Sequence, residues 1–291
     1  MRYHQLDAKI FNKKSVFVFA HQDDELYYSG LISRLKNSKF IWITNGDGLA
    51  KRANIPARKY AKIRSQESKK VMNFLGVKNN QIKELGVSEV ALSSVYKRIK
   101  NKDETALEEI KEIADKLYNE IKKSKAEVIW TLSFQAGHLG HDLAHLLSVY
   151  VKNRIEKEEN RKIDIFAFPE YEFTTIPPFF IPFRFRPFSH KEAYKIYLSD
   201  KEWQTKLKAI DMYPSQRGLF KWFKIGINVL GFLSAAIGKP FNYQKYGRTE
   251  VFERVKQEDY SKSPHLLPWE DYMFSTSSFK VTKVITLILK R

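Results

Sequence analysis

The chain has 291 residues, 43% of them hydrophobic, enough for one large α/β core, and its lack of Cys excludes disulfides and thiolate zinc sites. Its 51 Lys and Arg against 33 Asp and Glu leave a formal charge of +18, a balance that suits nucleic acid, an anionic membrane or a phosphorylated substrate. No RNP, helix-turn-helix or zinc-finger spacing is present, so no specific nucleic-acid partner is expected, and residues 1–14 lack the apolar core of a secretory signal.

In chain order, Ser15-Val16-Phe17-Val18-Phe19-Ala20 predicts a buried strand over 15–20 that stops at His21-Gln22-Asp23-Asp24-Glu25. Leu26, Gly30, Leu31, Ile32 and Leu35 then mark a helix over 25–37. Three acids crowded on that turn repel one another unless a cation neutralises them, and His21 beside them makes a metal site the economical reading. Helix capping, which favours acids in a first turn, explains the acids alone equally well. A strand over 39–44, a helix over 57–75, an extended piece near 82–86 and a helix over 104–124 follow.

Glu127-Val128-Ile129-Trp130-Thr131-Leu132 predicts the next strand, running into Ser133-Phe134-Gln135-Ala136-Gly137-His138-Leu139-Gly140-His141-Asp142 and a helix over 141–158. A strand over 163–168 leads to Glu170 and Glu172. This alternation predicts a Rossmann-like, mainly parallel sheet with helices on both faces. Right-handed crossovers place its strand-end loops on one edge, where His21, Asp24 and His141 can share one ion with a coordination position left for water. A rival pattern overlaps the second loop: His141-Asp142-Leu143-Ala144-His145 puts two histidines at i and i+4, as in HExxH metalloproteases, but with Asp where the Glu is needed.

The α/β core is assigned to 1–175, and 176–291 is read as a C-terminal aromatic and basic extension that completes the core rather than as an independent domain. Residues 176–188 are too proline-rich for a helix, and a helix over 200–211 returns to the core. The apolar and basic segment 218–239 is too short in its uncharged part to span a bilayer. Packing on the core, a dimer contact, or an aromatic and basic rim resting on an anionic membrane all fit its composition.

The chain resembles the PIG-L/LmbE-like family of zinc-dependent N-acetylglucosaminyl deacetylases. The A-H-P-D-D-E signature of that family stands here as Ala20-His21-Gln22-Asp23-Asp24-Glu25, and its H-x-D-H signature as His138-Leu139-Gly140-His141. Weaker echoes are Thr44-Asn45-Gly46-Asp47-Gly48, Arg64-Ser65-Gln66-Glu67 with Leu75-Gly76-Val77, and Tyr213-Pro214-Ser215-Gln216. The resemblance implies His21, Asp24 and His141 as ligands of Zn2+ (or another divalent metal such as Fe2+), with a zinc-bound water as nucleophile and Asp23 as general base. It further implies that His138 polarises or protonates the reacting amide, and that Asp47 and Arg64 face the sugar. Gln22 replaces the family's Pro, and Gly140 replaces the Asp that helps to orient the first histidine of the second motif; Asp142 or another acid is the expected substitute.

The expected activity is removal of the N-acetyl group from an N-acetylated amino sugar in a GlcNAc-type glycoconjugate, a lipid-linked one included. The alternatives are the metalloprotease centred on His141 and His145, and a non-enzymatic basic binder of nucleic acid or membrane. A cytoplasmic location, with peripheral contact on the inner face of the membrane, completes the expectation.

Overall fold

The aliphatic and aromatic run Ser15–Phe19 forms β2, buried at every position, and it occupies the interior of an eight-stranded sheet where both faces are covered. The computed structural model describes residues 3–101, 103–134, 138–169, 173–176, 179–182, 193–221 and 247–256, with 225, 232, 235, 236 and 285. Beside β2 lie β3 (Ser38–Thr44) and, beyond it, β4 (Ile82–Val87). On its other side come β5 (Val128–Leu132) and β6 (Asp164–Phe168), all five strands running parallel. The sheet continues through β10 (Thr249–Arg254) and β9 (Ala193–Tyr197) to β1 (Tyr3–Gln5). Among the described strands of this sheet, β10 alone runs opposite to the others.

Cross-strand register places an aromatic row across four strands: Phe40 opposite Phe17, Phe17 opposite Trp130, and Trp130 opposite Phe166. Their rings stack with centroids 5.0, 6.0 and 4.9 Å apart, so the side chains that specify β propensity also lock the register.

Helices bounded within the described residues include α1 (Ser29–Arg34), α2 (Ala57–Phe74), α3 (Glu89–Lys100), α4 (Glu104–Ser124), α5 (Leu139–Glu159) and α6 (Asp200–Asp211). The helix expected over 25–37 is shorter, with a tight turn over Asp24–Tyr28 leading into α1. The carboxylates of Asp24 and Glu25 fold back onto the backbone N–H groups of the preceding loop and hold that turn narrow. Helix α3 was not expected. Ser88 starts it, its hydroxyl accepting the Ala91 N–H, and Leu92, Val95, Tyr96 and Ile99 form its buried stripe.

The C-terminal third supplies two strands of the main sheet. Glu250 on β10 is fully buried, and its carboxylate accepts the N–H groups of Gly30 and Leu31 at the start of α1, both at 2.9 Å, while Lys206 of α6 pairs with it at 3.0 Å. A separate antiparallel pair, β7 (Phe173–Ile176) and β8 (Phe179–Pro182), takes in part of the stretch too proline-rich for a helix. Glu170 and Glu172 lie outside the described residues, as do 183–192 and most of 218–239.

Candidate metal centre and active site

The order of the parallel strands reverses between β2 and β5. β3 and β4 build outward on one side and β6 on the other, so the loops leaving β2 and β5 meet above a crevice at their carboxyl ends. The first loop is self-braced. Asp24 Oδ2 accepts the N–H groups of Ala20 and His21 at 2.8 and 2.9 Å, leaving Oδ1 turned outward. Asp23 sits at φ 113°, a left-handed conformation that Asp and Asn tolerate better than other side chains, and its N–H donates to Glu25 Oε2.

Gln22, where the related motif has Pro, is buried and donates from Nε2 to the Thr44 carbonyl at 3.0 Å, tying the loop to β3. A side chain at Gly46, itself at φ 73°, would collide with Gln22 Oε1, so the amide and the glycine belong together.

Across the crevice, α5 opens with His138 and carries His141 in its first turn. His21 Nδ1 stands 3.2 Å from His141 Nε2, and Asp24 Oδ1 lies 3.5 Å from His141 Nε2 and 3.8 Å from His21 Nδ1. Atoms held about 2.0–2.1 Å from a tetrahedral ion stand roughly 3.4 Å apart, so this triangle fits a divalent cation. A third imidazole, His138, brings a nitrogen within 4.8 Å of those of His21 and His141 and stacks on the His141 ring at 4.0 Å. Asp24 completes the triangle better than His138 does, because its second oxygen is already spoken for by backbone and its first faces both rings.

The charges are balanced for a cation. Burial works against ionising Asp24, but His141 and His21 hold its carboxyl well below the usual range. Burial also opposes a charge on His21, yet Glu89, Asp24 and Asp23 push it up to about 9. His138 goes the other way, lowered by burial and by the two neighbouring imidazoles, so it is a neutral ring.

Asp23 projects beside the triangle. Burial raises its carboxyl to about 7, against the pull of the Arg64 guanidinium 2.9 Å from Oδ1. Arg64 reaches in from α2, lies over the Tyr213 ring at 5.3 Å and touches Ser215 Oγ at 3.5 Å. The Tyr213-Pro214-Ser215-Gln216 element is thereby docked on α2: Ser215 N–H donates to Glu67, Gln216 to Tyr60, and the Tyr213 hydroxyl to Glu25. Motifs scattered along the sequence thus converge at one crevice.

Other expected residues stand elsewhere. Asp47 is buried, and its carboxylate is taken up by the Ser88 hydroxyl at 2.6 Å, the Val90 N–H at 3.2 Å and the Asn45 amide, fastening the loop after β3 to the start of α3. His145 is buried one turn beyond His141, and its Nδ1 donates to the Leu132 carbonyl at 2.8 Å. Among the described residues it is no part of the imidazole cluster.

Glu89 was not anticipated. Its carboxylate lies 3.7 Å from His21 Nε2 and accepts from the Thr44 hydroxyl at 3.2 Å. At Gly140 a Cβ would stand 2.5 Å from His21 Nε2, so the absent Asp of the related motif has no room here. Glu89, His21, Tyr96, His138, Leu139 and Gly140 wall a cavity of about 180 Å³. The signal for Glu89 lay in Ser88 as a helix cap followed by the apolar spacing of α3.

Residues 16–151 match the model of the PIG-L family, described as GlcNAc-PI de-N-acetylase. Among curated proteins compared by sequence, none matches significantly. Solved structures share the fold at low identity. An N,N'-diacetylchitobiose deacetylase from Pyrococcus horikoshii is 17% identical over 92% of each chain, with a TM-score of 0.57. A teicoplanin deacetylase in its zinc-inhibited form is 12% identical over 84% of this chain and 99% of the other, at 0.54. A conserved protein from Thermus thermophilus is 16% identical over 88% and 98%, at 0.52.

Proposed function

We propose, from the premise that residues 16–151 belong to the PIG-L family, that this protein is a metal-dependent hydrolase removing the N-acetyl group from an N-acetylated amino sugar. The supporting observation is the triangle of His21 Nδ1, Asp24 Oδ1 and His141 Nε2, with the raised carboxyl of Asp23 beside it. His21, Asp24 and His141 would hold the ion. When bound, a divalent metal such as Zn2+ or Fe2+ lowers the pKa of a coordinated water to about 7 and polarises the amide carbonyl.

The chain's own groups do the rest. Asp23 accepts the proton of the attacking water, and a carboxyl near pKa 7 has the basicity this transfer needs at neutral pH. Arg64 fixes the Asp23 carboxylate by its ion pair and would contact the sugar from there. The neutral His138 ring offers an N–H to the oxygen that gains negative charge as the carbonyl becomes tetrahedral. The C–N bond then breaks, the proton held by Asp23 passes to the departing amine, and acetate and the free amino sugar are released.

The test is a panel of N-acetylated sugars, free, nucleotide-linked and lipid-linked, assayed for released amine with the purified protein loaded in turn with Zn2+, Fe2+, Mn2+ and Co2+. The metal panel is necessary because a structurally similar teicoplanin deacetylase has a zinc-inhibited form. Release of one amine per acetate, abolished by a chelator, is expected. No release with any sugar and any metal refutes the reading.

A further inference from the structure

We propose that the outer face of the loop and helix spanning residues 48–62, together with Arg217 and Lys221, is a docking surface for an anionic lipid bilayer. Lys51, Arg52, Arg58, Lys59 and Lys62 are all exposed, and none makes an ion pair among the described residues. No acid occurs between Asp47 and Glu67, so the face carries one sign of charge. Some lysines elsewhere stand beside acids that offset them: Lys111 pairs with Glu108, Lys122 with Glu158, and Lys69 with Glu84.

These cations do nothing for the helix they stand on. Arg58 and Lys59 occupy the first turn of α2, where the helix dipole favours acids, and that turn has none. The inner face of the same helix carries Arg64, engaged with Asp23, so the exposed cations line the outside of the wall that bounds the crevice. Ser215 bonds Glu67 and Gln216 bonds Tyr60, a progression toward the first turns of α2 that brings the exposed Arg217 and Lys221 to the same side.

Apolar exposure selects a bilayer over a nucleic acid. Leu49 is 40% exposed within the basic loop. Ile225 and Phe232 are also exposed, Phe232 to 76%. Cations flanking large apolar side chains match the boundary between head groups and acyl chains, where a phosphate backbone would offer the apolar groups nothing. Among the described residues no helix is long and apolar enough to cross a membrane.

Flotation of the full-length protein with phosphatidylcholine vesicles, with and without phosphatidylglycerol, tests this without reference to catalysis. Binding is expected only with the anionic vesicles and falls steeply as salt rises. The K51Q/R58Q/K59Q/K62Q variant should partition roughly 600-fold less, at about fivefold per cation. Phe232→Ser should weaken binding several-fold at every salt concentration, and both variants should melt as the parent does. Failure of the parent to float with anionic vesicles overturns the proposal, as does a quadruple variant that floats like the parent. Retention on immobilised RNA without flotation overturns it in favour of a nucleic-acid partner.

Discussion

Replacing Asp23 with Asn separates the proposed base from the proposed ligands. The position has φ 113°, which Asn adopts more readily than most residues, whereas Asp23→Ala would strain the loop and confuse the outcome. The Asn oxygen can still accept from Arg64, whose guanidinium also keeps its place over Tyr213 and beside Ser215. What is lost is the negative charge of a nearly buried pair, so a stability cost of about 1–3 kcal/mol is expected, below the range for an abandoned buried charge. The ligand atoms are untouched, because Asp24 is held by the Ala20 and His21 N–H groups and not by Asp23. An amide cannot take a proton from water, and loss of a general base typically costs about 10²–10⁴ in rate, or roughly 3–5 kcal/mol of barrier. Turnover per bound metal, with metal content measured on the same gel-filtered sample, reads both quantities. Metal lost together with activity, or turnover within tenfold of the parent, would refute the division of roles.

His21→Ala, Asp24→Asn and His141→Ala should each purify with little metal and no activity, whereas His145→Ala, whose Nδ1 bonds the Leu132 carbonyl, should retain its metal; elemental analysis decides. Gly140→Ala should displace the His21 ring and weaken metal binding about tenfold or more in a chelator competition, and unchanged affinity would show that the close approach is not a constraint. Glu250→Ala strands the Gly30 and Leu31 N–H groups and the Lys206 ammonium, which should cost about 3–5 kcal/mol in urea unfolding; a loss below about 1 kcal/mol would contradict the burial argument. Burial alone would raise the Glu202 carboxyl, but the Arg34 fork at 2.6 and 2.9 Å and the Ser199 N–H bring it down to about 2. A depressed carboxyl stabilises the fold above its unfolded pKa of about 4.3 and loses that contribution as pH falls through about 2. The melting-temperature gap between the parent and Glu202→Gln should therefore be largest above about pH 5 and close toward about pH 2.

The alternation of β2, β3, β5 and β6 with helices was legible because continuous apolar runs in a parallel sheet advertise strands buried on both faces. The two ligand loops were legible for a chemical reason: His21, Asp23 and Asp24, and His138 and His141, each concentrate costly polar groups within a few residues at a strand end. Helix α3 escaped notice amid a lysine-rich stretch, and with it Glu89, whose carboxylate matters only because folding carries it to His21. The closing strands β9 and β10 lack a continuous apolar run, being interrupted by Lys195 and by Glu250, Glu253 and Arg254, so nothing local announces them; pairing across the sheet makes them strands. Local pattern thus encodes each element and the chemistry each loop can offer. Distances do not follow from it: the 3.2 Å between His21 and His141, the room denied at Gly140 and the docking of Tyr213 on Glu25 join residues remote in sequence, and only packing of the whole chain sets them.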